Sequence, residues 1–163
     1  MSDPSAPGSS GPHVRGPEGA PLVVLFGDVT CVRCQQAYLA LGDAPLRLQW
    51  RHFVLRARGP QPRAIATALE AAARQDAFWP LLDRAMAQPA RLEDPDLWRI
   101  AADLGLDVDR FRADRRDERT DAAIGADLSA ALTLGATGTP ALLVDGTIDH
   151  GVPDAAWIAA LLD

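Results

Sequence analysis

Lysine is missing altogether from this 163-residue chain: its 16 basic residues are all arginine. That closes every lysine-based mechanism, Schiff-base chemistry and phosphate-cradling P-loops among them. A basic excess is missing too, since 22 acidic residues leave a formal charge of -6. A protein that binds nucleic acid by neutralising phosphates needs a positive face, so that class is set aside. No apolar run approaches the ~20 residues of a membrane helix, and no charged segment leads into an apolar one as in a secretory signal. The chain therefore reads as a protein without membrane association, and its expected location is the cytoplasm. Cysteine is almost absent. Two residues, Cys31 and Cys34, are too few for a disulfide scaffold, yet they stand three apart. Chance gives that spacing roughly once in 80 placements, so a redox or metal motif has to be considered.

Enough is present to fold. A hydrophobic fraction of 48% over this length supports one domain with its own core. Residues 1–21 are broken repeatedly by Pro, Gly and Ser and read as a flexible tail and lead-in. The domain is expected over 22–163. Leu22-Val23-Val24-Leu25-Phe26 is a short continuous apolar run, suited to a strand buried on both faces. After the cysteines, Cys34, Ala37, Tyr38 and Leu41 recur at helical spacing, with Gly42 and Pro45 ending the helix. Residues 46–54 alternate as a second strand, with Arg47, Gln49 and Arg51 on the opposite side from Leu46, Leu48, Trp50 and His52. A helical block follows over about 60–118. A longer helix carries Ile124, Leu128, Ala131 and Leu132. Ala141–Val144, an Asp145-Gly146 turn, a short strand near Ile148 and a last helix complete the chain. Trp79, Trp98 and Trp157 lie on or beside helix stripes and are read as core.

The cysteines sit where a buried strand turns into a helix. Unpaired N–H groups and the positive end of the helix dipole favour thiolate there. Arg33, a permanent cation between the two sulfurs, is expected to push the same way. Cys34 belongs to the apolar stripe and is expected to be buried; Cys31, nearer the open end, is expected to be exposed. Cys31 is then the attacking thiol and Cys34 the resolving one. A zinc site would need two further ligands, and His13, His52 and His150 stand at no ligand spacing. No metal and no cofactor are expected. A disulfide across three residues closes too small a loop to contribute much stability. Thr137-Gly138-Thr139-Pro140 precedes an apolar strand, and proline is tolerated at a strand's first residue.

Taken in order, these pieces resemble the DsbA-like branch of the thioredoxin superfamily. The stretches that carry the resemblance are Gly16 to Pro21, Phe26-Gly27-Asp28 ahead of the first cysteine, and Arg51-His52-Phe53. Gln75 to Trp79, Leu104 to Asp107 and Gly138-Thr139-Pro140 complete it. The resemblance implies an α/β thioredoxin fold with an inserted all-helical subdomain, and a thiol-disulfide oxidoreductase acting on protein or small-molecule thiols and disulfides. It implies a cis proline at Pro140 packed beside the sulfurs, and a preceding residue, Thr139, that meets substrate backbone and tunes the potential. Three positions depart from the family pattern: Val32 replaces the usual Pro after the first cysteine, Leu25 a buried acid, and Val54 the Pro of a His-Phe-Pro segment. The dipeptide Val32-Arg33 sets the potential, so oxidase, reductase and isomerase all stay open. Asp28 is read as support for the turn. Two rival readings stand beside it: a related enzyme that uses the same thiolate on a small thiol or other electrophile, and a thioredoxin-fold module that senses redox state or binds a partner without turnover. Oligomeric state is left open by the sequence.

Overall fold

The computed structural model describes residues 13–163. Most of the expected tail lies outside those residues. Where it is described, Val14–Arg15 is a short strand (β1), so the sheet starts earlier than the Pro/Gly punctuation predicts. β1 is held by antiparallel pairing of Val14 with Gln49 and Arg15 with Leu48, and by Arg15 donating to the Tyr38 hydroxyl at 2.8 Å. Tertiary pairing overrides local composition at this edge.

The chain divides into two compact units, one running to Phe53 and resuming over Ala126–Asp163, the other Val54–Gly125. The first unit holds a five-stranded mixed sheet in the order β1-β3-β2-β4-β5. The strands are β2 (Leu22–Gly27), β3 (Arg47–His52), β4 (Ala141–Val144) and β5 (Thr147–His150). β2 is the apolar run read from the sequence, and it is central: β3 lies parallel on one side and β4 antiparallel on the other. Both of its faces are covered, which is why it tolerates no alternation. The parallel β2–β3 pair needs a crossover, and helix α1 (Val32–Gly42) supplies it. Cys34, Ala37, Tyr38 and Leu41 are its buried stripe, as the spacing predicts. β4 and β5 form a hairpin across Asp145-Gly146, both at positive φ, the conformation of a two-residue turn of this hand.

β3 departs from expectation. Its alternation places Gln49 and Arg51 toward solvent, yet both are buried. The second face is closed off as well, with Asp127 brought over the Arg51 side chain and the His52 peptide. Arg51 is accommodated by stacking 5.3 Å over the Phe26 ring and by a 2.7 Å ion pair with Asp127. Trp50 is fully buried, and its indole N–H donates to Nδ1 of the buried His52. A methyl group on Gly27 would stand 2.7 Å from the Trp50 ring, so that glycine is demanded by packing.

The second unit is helical: α2 (Gln61–Ala73), α3 (Phe78–Ala87), α4 (Asp94–Asp103) and α5 (Val108–Asp114), after a single 3-10 turn at Arg56–Arg58. Helix α6 (Glu118–Thr133) starts within its residue range, which at 54–125 is somewhat wider than the 60–118 read from the sequence. Its interior is Leu69, Leu81, Leu82, Leu92, Leu97 and Phe111. Trp79 and Trp98 are only half-buried, as is Trp157 on the last helix, α7 (Ala155–Leu162). The aromatic residue that anchors the sheet is Trp50. Among the described residues no helix is long and apolar enough to cross a membrane.

Candidate functional site

The turn between β2 and α1 is built by Asp28. Its Oδ1 accepts from the backbone N–H and the hydroxyl of Thr30, both at 2.8 Å, and its carbonyl accepts from the Cys31 N–H at 3.0 Å. The carboxylate therefore supports the turn, the role read for it from the sequence. Gln35 reaches back to the Val29 carbonyl at 2.8 Å and fixes the same loop from the helix side.

Cys31 is the N-cap of α1, with extended backbone, and its sulfur accepts from the Cys34 N–H at 3.4 Å. That bond turns the thiol inward over the helix end. The sulfur also accepts from the Thr139 hydroxyl at 3.6 Å. Cys31 is consequently 9% exposed and not openly displayed as expected, while Cys34 beneath it is at 0%. Val32 and Arg33, between the two cysteines, are both exposed, Val32 at 63%. Both cysteines are free thiols.

The two sulfurs differ electrostatically. Burial raises Cys31, but the Thr139 hydroxyl, the helix-end N–H groups of Cys34 and Arg33, and the Cys34 thiol outweigh it, so its pKa lies below that of an ordinary thiol. Cys34 is pushed up to about 12, first by burial and then by the charge of Cys31, with the Asp28 backbone opposing. A group raised on folding contributes stability that is intact below its unfolded value of 9.0 and lost as pH climbs toward 12. Thermal melts of the reduced protein should therefore show a loss of stability above pH 9 that Cys34→Ser lacks. Superimposable losses in the two proteins would refute the burial argument.

Arg33 meets Cys31 through its backbone N–H, one of several groups that lower the thiol. Its exposed guanidinium instead lies against the β5–α7 turn, 3.0 Å from where a Cβ on Gly151 would stand. Gly151 has φ +99° and leaves that space open. Arg33→Gln should thus move the Cys31 titration by no more than ~0.3 units, since an exposed charge is heavily screened. An upward move of a unit, followed by thiolate absorbance, would restore the charge explanation.

Opposite the cysteines, the Thr137–Pro140 loop leads into β4. The Thr139–Pro140 peptide bond is cis, Pro140 is buried, and its carbonyl accepts from the Gly151 N–H at 3.1 Å. The structure thus brings Cys31, Cys34 and Thr139 together, with Pro140 following directly and Val32 and Arg33 on the outer side. Sequence reading missed two contributors, Gly151 and His150. The β4–β5 register, which sets His150 beside Ala141, was the signal that could have located them. Among the described residues no set of three His, Cys, Asp or Glu side chains is arranged to hold a metal ion.

A model of the DSBA-like thioredoxin domain matches residues 22–163. The chain is 39% identical over 145 residues to a protein of Salinispora tropica named Na(+)/H(+) antiporter NhaA 3, covering 85% of this chain and 22% of that protein. The match thus concerns about a fifth of the relative's length. Among solved structures, a thioredoxin-like oxidoreductase from Silicibacter pomeroyi superposes with a TM-score of 0.77 at 27% identity, over 98% of this chain and 91% of the other. DsbA2 of Pseudomonas aeruginosa gives 0.74 at 23% identity, over 93% and 92%, a likeness of fold.

Proposed function

This chain belongs to the DsbA-like thioredoxin family, and from that premise we propose that it exchanges disulfides with protein thiols through Cys31 and Cys34. The observation that carries the reading is the asymmetry of the two sulfurs: Cys31 is lowered and keeps a 9% exposed edge, while Cys34 is raised and fully buried. In the reducing direction, the Cys31 thiolate attacks one sulfur of a substrate disulfide. The substrate S–S bond breaks, a Cys31–substrate disulfide forms, and the other substrate sulfur leaves as thiolate. Cys34 then attacks Cys31, releasing the second substrate thiol and leaving Cys31–Cys34 oxidised. Oxidation of a substrate dithiol is the same sequence reversed.

The surrounding residues have matching roles in this reading. Thr139 gives the Cys31 thiolate a hydroxyl donor. Pro140 opens β4 without an N–H of its own and leaves the Thr139 backbone for an incoming extended peptide. Val32 offers an exposed apolar contact beside the nucleophile, and Arg33 a cation at its margin. Compartment sets direction. In a reducing cytoplasm the pair rests as a dithiol and the chain works as a reductase; against an oxidising pool it runs the other way.

The test is turnover. The reduced protein should accelerate insulin precipitation by dithiothreitol, and equilibration with glutathione then fixes direction, 30 mV being ~1.4 kcal/mol for this two-electron couple. A rate equal to dithiothreitol alone would overturn the catalytic reading. A second reading, a redox-sensing module without turnover, is favoured by the antiporter-named relative, in which the matched segment is 22% of the length. There the cysteines would report redox state to an attached or neighbouring transporter. Insulin inactivity combined with a fully reversible Cys31–Cys34 disulfide would favour it.

A further inference from the structure

His150 stands at the end of β5, on the exposed side of the hairpin, and no step of the exchange uses it. Its Nε2 is nevertheless engaged. The backbone N–H of Thr137 donates to it at 3.1 Å, and the Thr137 hydroxyl lies 3.3 Å from the same atom. A backbone N–H can only donate, so Nε2 must carry a free lone pair and the ring proton must be on Nδ1. Thr137 is two residues ahead of Thr139, the residue whose hydroxyl reaches the Cys31 sulfur. At the other end of the same turn, the Gly151 N–H ties the Pro140 carbonyl at 3.1 Å. His150 and Gly151 thus grip the Thr137–Pro140 loop at both ends.

We propose that neutral His150 is a positioning residue: it holds the loop so that Thr139 faces Cys31, and its protonation releases that hold. An imidazolium has no acceptor, so protonation sets the Nε2–H against the Thr137 backbone N–H and leaves only the Thr137 hydroxyl, turned to accept, in its place. Loss of the hold moves the Thr139 hydroxyl off the sulfur and makes the thiolate harder to form. The charged groups near the imidazole come from three elements. Asp149 on its own strand and Asp154 on the following turn border the same groove as His150. The Arg33 guanidinium from α1 is packed at the neighbouring Gly151. Both carboxylates are held in place by Trp157 of α7, Asp149 at 2.9 Å from the indole nitrogen and Asp154 at 2.8 Å from the backbone N–H. β4 contributes Ala141 opposite His150 and no charge.

The proposal rests on Cys31 as the nucleophile, and its test does not require disulfide turnover. Alkylation of the reduced full-length chain by iodoacetamide, mapped by mass spectrometry, reads Cys31 directly across pH 5 to 8. At pH 7.5, His150→Ala should slow Cys31 alkylation about two- to fivefold, the scale of one net hydrogen bond. His150→Gln, whose amide oxygen accepts but does not protonate, should restore the rate. The wild-type profile should carry a second, acid-side inflection that the glutamine variant lacks. A His150→Ala rate equal to wild type at pH 7.5 overturns the proposal, as does a glutamine variant that keeps the second inflection. An unreactive Cys31 in the wild type would instead overturn the nucleophile assignment itself.

Discussion

Cys31→Ser is expected to take disulfide exchange down to the uncatalysed level, a loss of about a thousandfold or more. The cause is chemical: serine has no sulfur with which to form the mixed disulfide, so the covalent route is removed outright. Cys34→Ser should behave differently. The first attack survives, because it depends on the lowered Cys31, while the second has no sulfur to make it. A mixed disulfide through Cys31 should therefore accumulate, visible on non-reducing gels and abolished by Cys31→Ser. The raised Cys34 poses a question for the normal enzyme, since a thiol near 12 is almost entirely protonated at neutral pH. Part of that elevation comes from the charge on Cys31. Once Cys31 is tied up in a mixed disulfide the charge is gone, so the resolving thiol becomes easier to ionise when it is needed. Burial remains, and with Leu25 standing where many relatives have a buried acid, the resolving step should be the slower one. Retained turnover in Cys31→Ser, or no adduct in Cys34→Ser, would remove the assignment of roles.

The motif could be read from sequence because its physics is local. A strand run too apolar to face water, followed directly by a helix stripe beginning at Cys34, puts a thiol at a helix end whatever the remainder does. Helix and strand placement was legible for the same reason. What the sequence hid was set by distant partners. Arg51 belongs to an alternating strand, and nothing within ten residues reveals that the opposite face is covered too, by Asp127 76 residues on. Cys31 was expected in the open, but the Thr139 hydroxyl that covers it comes from 108 residues away. The position of Arg33 between the sulfurs is visible in the chain, whereas the direction of its side chain depends on the space at Gly151. The half-buried tryptophans repeat the lesson, since a helix stripe shows which face turns inward and not how deep it sits.

Among the ion pairs, Asp127→Ala should be the most damaging single change, costing about 2–4 kcal/mol in stability. The Arg51 side chain is 6% exposed, and its Nε donates to Asp127 Oδ1 at 2.7 Å. The other carboxylate oxygen accepts from the His52 backbone N–H at 2.9 Å. Alanine would thus strand a buried cation and a buried peptide donor together. Breaking a buried pair by removing one partner typically costs 3–5 kcal/mol; the Asp127 side chain, at 17% exposed, admits enough water to soften that. Asp127→Asn keeps an acceptor for the peptide and gives up only the charge, so it should lose about half as much. The pair Arg63–Asp121, with side chains 43% and 54% exposed, provides the contrast. Asp121→Asn should cost no more than ~1 kcal/mol, because solvent screens both partners. Urea unfolding of the three variants would order them. If Asp127→Ala fell within ~1 kcal/mol of Asp121→Asn, Arg51 would have to be solvated by some other route, and the buried pair would lose its place as the tie between β3 and the helix segment that carries Asp127.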